Sequence, residues 1–95
     1  MLYVIHALDK PGALAQRLAH YDAHKAFLAG AAAHGITIVM SGPLMDDEGG
    51  DMIGSLLLVE ARDRATVERF NEADPFHAAG IWARVTITRF NRRQG

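Results

Sequence analysis

Ninety-five residues, 49% hydrophobic and 22% charged, describe one small globular domain spanning residues 1–95. A net charge of −1 gives no reason to propose nucleic acid, whose binders carry a concentrated basic patch, and the absence of cysteine excludes disulfides, zinc–thiolate sites and thiol catalysis. No apolar run approaches the roughly 20 residues that span a bilayer, so no membrane partner is expected.

The start Met1-Leu2-Tyr3-Val4-Ile5-His6 has no basic leader region and runs straight into a strand pattern. Together with the missing cysteines, this gives a cytoplasmic protein as the expectation. Leu2 to Leu8 is rich in β-formers and ends at the turn cluster Asp9-Lys10-Pro11-Gly12. Residues 13 to 34 are Ala- and Leu-rich at helical spacing and close at His34-Gly35, where glycine is favoured just past a helix end. This segment divides in two if Ala13 to Leu18 is a separate turn and the main helix starts near Tyr21. Ile36 to Ser41 reads as the second strand, stopped by Gly42-Pro43. Residues 45 to 51 form an acidic, glycine-rich loop without the spacing or terminal glutamate of a calcium loop. The third strand runs from Met52 to about Ala61. Asp63 caps a helix that continues to Ala73, and Asp74-Pro75 ends it, because the residue before proline is pushed out of helical conformation. Phe76 to Gly80 is a short turn, Ile81 to Phe90 alternates as a fourth strand, and Asn91 to Gly95 is a frayed tail carrying the solvated arginines Arg92 and Arg93 next to Arg89.

The order β-α-β-β-α-β predicts an α+β, ferredoxin-like fold: an antiparallel four-stranded sheet with two helices on one face. The other face should then be polar. It is not. Strand 3 is apolar on both sides, with Leu56 and Leu58 opposite Ile53, Leu57 and Val59, and strand 1 sets Leu2 and Val4 against Tyr3 and Ile5. Strands apolar on both faces are normally covered on both. A chain of this length also buries only about 60% of the surface its unfolded form exposes. A sheet-to-sheet homodimer is the expectation. Trp82 and Arg84 share one face of strand 4 and line the dimer cavity if that face looks inward.

Two polar residues stand where apolar ones belong. The buried stripe of helix 2 reads Val67, Phe70 and, one turn on, Asp74; His24 sits between Tyr21 and Phe27/Leu28 on the apolar face of helix 1. Aspartate is seldom fully buried unless paired, and an unpaired buried carboxylate is costly. The fold order places the two helices side by side and antiparallel, within reach of a His24–Asp74 pair. A carboxylate fixes the imidazole tautomer and stabilises its protonated form, leaving a general acid or base near neutral pH. Asp74 also has a local reading, as an Asp-Pro turn bonded to nearby backbone. Arg17, one turn before Tyr21, is either an anion-binding residue or simply solvated. Ser41-Gly42-Pro43 offers close backbone approach to a ligand and a serine hydroxyl; no nucleophile-elbow motif surrounds Ser41. His20 and His24 have metal-ligand spacing, but no Glu follows in an H-E-x-x-H pattern, and His6, His34 and His77 read as strand, helix-end and turn residues, so no metal is assigned.

Met1-Leu2-Tyr3-Val4-Ile5, Arg17 with Ala23-His24 and Leu28, Ser41-Gly42-Pro43, and Asp74-Pro75-Phe76 with Ala79-Gly80 together resemble the YciI-like (YCII-related) family over nearly the whole chain. The resemblance implies a dimeric α+β barrel and an active site built on a His–Asp pair, here His24 and Asp74. Ser41 and Gly80 carry over as pocket positions. Candidate substrate-binding residues are Arg17, Ser41, Gly42, Pro43, Phe76 and Gly80. The wider group of dimeric α+β barrels includes isomerases, dehalogenating enzymes and monooxygenases of small cyclic or aromatic compounds. A cofactor-independent lyase or isomerase acting on a small molecule is the function expected. The alternative is a non-catalytic binding module whose His–Asp pair is structural.

Overall fold

The computed structural model describes residues 1–95. Its elements are β1 (Leu2–Asp9), α1 (Leu14–Ala29), β2 (Thr37–Met45), β3 (Met52–Glu60), α2 (Arg64–Ala73), the single turn α3 (Pro75–Ala78) and β4 (Trp82–Phe90). The strands form one antiparallel sheet in the order β2-β3-β1-β4, the arrangement of the ferredoxin-like fold. Ile5 lies opposite Leu57 on one side and Ile87 on the other, which aligns the inward residues of the central strands.

The helices cover the face that carries Tyr3, Ile5, Leu57 and Val59. These four join Ala31, Ile36, Ala61, Val67 and Phe70 in the main core. A second buried group, Ala7, Ala13, Phe76, Ile81 and Trp82, sits under α3. On the other face Val4, Leu56, Leu58, Met40 and Phe90 line an apolar hollow, with Met40 57% and Phe90 43% exposed. The tail residues Arg92, Gln94 and Gly95 border that hollow without regular structure.

Four expectations are corrected. Helix α1 is continuous through Leu18 and Tyr21, and no proline or glycine interrupts it before Gly30. The break comes at Gly30, where a 3₁₀ turn over Ala31–His34 begins; it ends on Gly35 in the left-handed conformation, φ 73°. Strand β2 does not stop at Gly42-Pro43 but continues to Met45. It is an edge strand, where a proline's missing N–H serves no ladder. Its pairing also shifts between Ile38 and Met40, leaving Val39 as a bulge. Residues 75 to 78 form a helical turn rather than an irregular one, started by Pro75 with Asp74 as its cap.

The fourth correction concerns Trp82 and Arg84, which do not share a face. Leu8 pairs with Arg84 but Asp9 with Trp82, so Ala83 is an extra residue and the alternation reverses across it. Trp82 turns into the second core group, while Arg84 remains exposed.

Candidate active site

The stripe of α1 that faces the sheet is Leu14, Arg17, Tyr21, His24 and Leu28, alternating three and four residues apart as a buried helix face does. Its two fully buried members are the polar ones: Arg17 is 1% exposed and His24 5%. Across from it, α2 buries Val67 and Phe70 and stops at Asp74, which is 2% exposed. Asp74 cannot continue the helix because Pro75 follows, and its backbone is extended at φ −64°, ψ 132°. That change of direction turns its carboxylate toward α1.

His24 Nδ1 donates to Asp74, 2.9 Å from Oδ1 and 2.9 Å from Oδ2. Oδ1 also accepts the backbone N–H of Phe76 at 2.9 Å. The Asp-Pro turn and the side-chain pair are therefore one structure, not alternatives. The Phe76 ring stacks on the imidazole at 4.0 Å and 8°, and Tyr21 lies roughly parallel to it at 6.5 Å. The carboxylate only accepts, so Nδ1 is the donor, and in the neutral imidazole Nε2 keeps its lone pair. Nε2 has no hydrogen-bond partner in the chain.

Arg17 corrects the solvated reading. Its Nε and Nη2 grip Asp9 Oδ2 and Oδ1 at 2.6 and 2.8 Å, and Nη2 also reaches Ser55 Oγ at 2.9 Å. The guanidinium carbon lies 4.7 Å from the centre of the Phe76 ring. Asp9 ends β1 on its inward side, and the turn at residues 10–13 brings α1 back over it.

These groups surround a cavity of about 220 Å³ between α1 and the β2 edge of the sheet. From α1 come Arg17, Tyr21, His24, Lys25 and Leu28; from β2, Ser41, Gly42 and Pro43; from β3, Ser55 and Leu57. Drug-sized pockets run to about 300–1,000 Å³, so this one suits a single small ring. The structure thus brings together His24, Arg17, Ser41, Gly42 and Pro43. Asp74 and Phe76 stand behind the wall, holding the imidazole. Gly80 is not on the wall: its φ of 68° serves the turn into β4, and a Cβ there would lie 3.5 Å from Lys10 Nζ. His20 and His77 are exposed and His34 packs on Phe27 at 5.0 Å, so none of them faces the cavity.

Three residues of this site have no role in the sequence reading: Lys25, Asp9 and Ser55. Asp9 belongs to a turn cluster in the sequence, and Lys25 to the polar side of a helix. Ser55 carried a usable signal, since it is the one hydroxyl in phase with Ile53, Leu57 and Val59 on the inward side of β3. Arg17 stands seven residues, two helical turns, before His24, which puts both on one face of α1.

A profile of the YCII-related domain family matches residues 1–91. Protein YciI of Escherichia coli O6:H1 and Protein YciI of Shigella flexneri are each 31% identical to the chain, over 97% of it and 98% of their own length. Among solved structures, the 5-chloro-2-hydroxyhydroquinone dehydrochlorinase TftG of Burkholderia phenoliruptrix AC1100, in complex with 2,5-dihydroxybenzoquinone, superposes with a TM-score of 0.89. It is 36% identical over 98% of this chain and 96% of that one. PA3566 of Pseudomonas aeruginosa shares the fold at a TM-score of 0.55 and 16% identity, covering 98% of this chain and 93% of its own.

Proposed function

The chain belongs to the YCII-related domain family, and we propose that it is a small-molecule enzyme in which His24 and Asp74 carry out proton transfer. The observation that carries this reading is the His24–Asp74 contact at 2.9 Å, which leaves Nε2 unspent on a residue that lines a cavity. Nε2 takes a proton from the substrate, and Asp74 balances the imidazolium that forms. In an isomerisation the proton returns to a different atom. In an elimination the leaving group departs with its bonding electron pair, and the imidazolium later gives its proton to solvent. Neither step calls for a cofactor.

The substrate is a small cyclic compound. The likeness to a dehydrochlorinase that holds 2,5-dihydroxybenzoquinone supports this, as does the volume of the cavity. Ser41, Gly42 and Pro43 form the β2 wall against which such a ring lies. The assembly is a homodimer packed sheet to sheet, supported by the apolar face that the helices leave open. The direct test is chloride release from 5-chloro-2-hydroxyhydroquinone by the purified protein. Release well above the uncatalysed rate is expected; none, either with this compound or with other halogenated hydroquinones, contradicts the elimination reading.

A further inference from the structure

The residues that line the cavity include the cations Arg17 and Lys25 and no aspartate or glutamate. Arg17 is neutralised from behind by Asp9, which grips it at 2.6 and 2.8 Å. Lys25 has no such partner. Its Nζ lies 3.5 Å from Asp22 Oδ1, but the Lys25 side chain is 57% exposed and that of Asp22 99%. A pair this open is weak and screened by salt, so the ammonium exchanges partners readily. Lys25 directly follows His24, about 100° further round the helix, which sets it at the rim of the wall that His24 builds. Tyr21, one turn earlier, neighbours both: its ring centre is 4.8 Å from Lys25 Nζ and 6.5 Å from the imidazole centre.

We infer that Lys25 determines specificity at this site. It selects small rings that carry a carboxylate on the edge turned to the cavity mouth, over uncharged rings of the same shape. This rests on the reading of the cavity as a small-molecule active site. The ring lies inside, between His24 and the β2 wall of Ser41, Gly42 and Pro43. The carboxylate stays at the rim, where it keeps part of its water and takes the place of Asp22 on the ammonium. A carboxylate placed deeper would lose that water, at a cost that only a full set of partners repays. It would also meet a guanidinium whose charge Asp9 already balances. The position of the free charge therefore fixes the orientation of the substrate: acid group outward, reacting atom inward toward His24. The Tyr21 ring supports the lysine stem at that edge and limits where the ammonium can reach.

A pair of isosteric probes tests this. Binding of 2,5-dihydroxybenzoate is compared with that of the uncharged 2,5-dihydroxybenzamide by calorimetry, and the His24 ring resonances report occupancy of the cavity. At low salt the native protein should prefer the carboxylate about five-fold, the upper end for a solvent-accessible ion pair. The preference should shrink as salt is raised. Lys25→Met keeps the stem and removes the charge, and the ratio of affinities should fall to about one. Lys25→Glu should reverse the preference, and Lys25→Arg should retain it. Each variant alters an exposed side chain, so a folded protein is expected. A preference that survives unchanged in Lys25→Met and Lys25→Glu overturns the proposal. Equal binding of both probes by the native protein at low salt overturns the role of Lys25 and leaves the reading of the cavity standing. No binding of either contradicts that reading as well.

Discussion

His24 and Asp74 are each poor choices for an apolar stripe and together satisfy one another. Asp74 does two jobs with one carboxylate, capping the N–H of Phe76 and holding His24 Nδ1, both at 2.9 Å. This is why each residue could be singled out from the sequence, since periodicity exposes a polar side chain on an apolar face. Arg17 was less visible because a long cationic side chain on a helix usually reaches solvent. What buries it is Asp9, eight residues away across a turn, and such a pairing is a tertiary fact. Asp74→Asn separates the two jobs. The amide oxygen still accepts from Phe76 N–H, while the NH2 that replaces the other oxygen faces Nδ1 and the side chain carries no charge to balance an imidazolium. The fold should survive, and turnover should fall by about two orders of magnitude or more. Thermal melting beside steady-state rates reads both, and a folded Asp74→Asn variant with native turnover would contradict proton transfer through this pair.

Helices α2 and α3 each start on a capping aspartate, which makes their ends readable, whereas α1 starts without a side-chain cap. Asp63 caps α2: its Oδ1 accepts from Thr66 N at 2.9 Å and from Thr66 Oγ1 at 2.7 Å. The Thr66 side-chain bond and the Thr66 backbone bond, with lesser help from Arg62 and Arg69, hold its carboxyl below its ordinary value of 3.8 against the opposing effect of desolvation. A depressed carboxyl stabilises the fold when ionised, so its contribution is full above 3.8 and is lost as the pH falls through the lower folded value. Melting curves of the native protein and Asp63→Ala should therefore differ at neutral pH and converge in acid. A gap that persists unchanged in strong acid would contradict the capping role. Strand ends were harder to read. Gly42-Pro43 signals a stop, yet β2 passes through it because the strand lies at a sheet edge, and edge position is set by strand order. The face of Trp82 is hidden for a related reason: a bulge at Ala83 reverses the alternation, and no residue type there announces it.

At the scale of the whole molecule, the fold leaves one sheet face without helices, and that face is apolar. Val4, Leu56, Leu58, Met40 and Phe90 line it, and apolar patches of this kind mark contact surfaces. The sequence showed this directly, because strands apolar on both sides are rarely left open. Sedimentation of the native protein should give a dimer, and Met40→Glu/Phe90→Glu should give a folded monomer, while a native monomer independent of concentration would refute the assembly. The cavity sits on the opposite, helix-covered side, where α1 and the β2 edge enclose His24 beside Arg17. In the proposed reaction His24 Nε2 moves the proton. Chloride release from 5-chloro-2-hydroxyhydroquinone by His24→Gln, with substrate binding measured in parallel, tests it most directly. Binding should be retained while release falls about 10²- to 10⁴-fold; release within a few-fold of the native rate in a well-folded His24→Gln variant would contradict it.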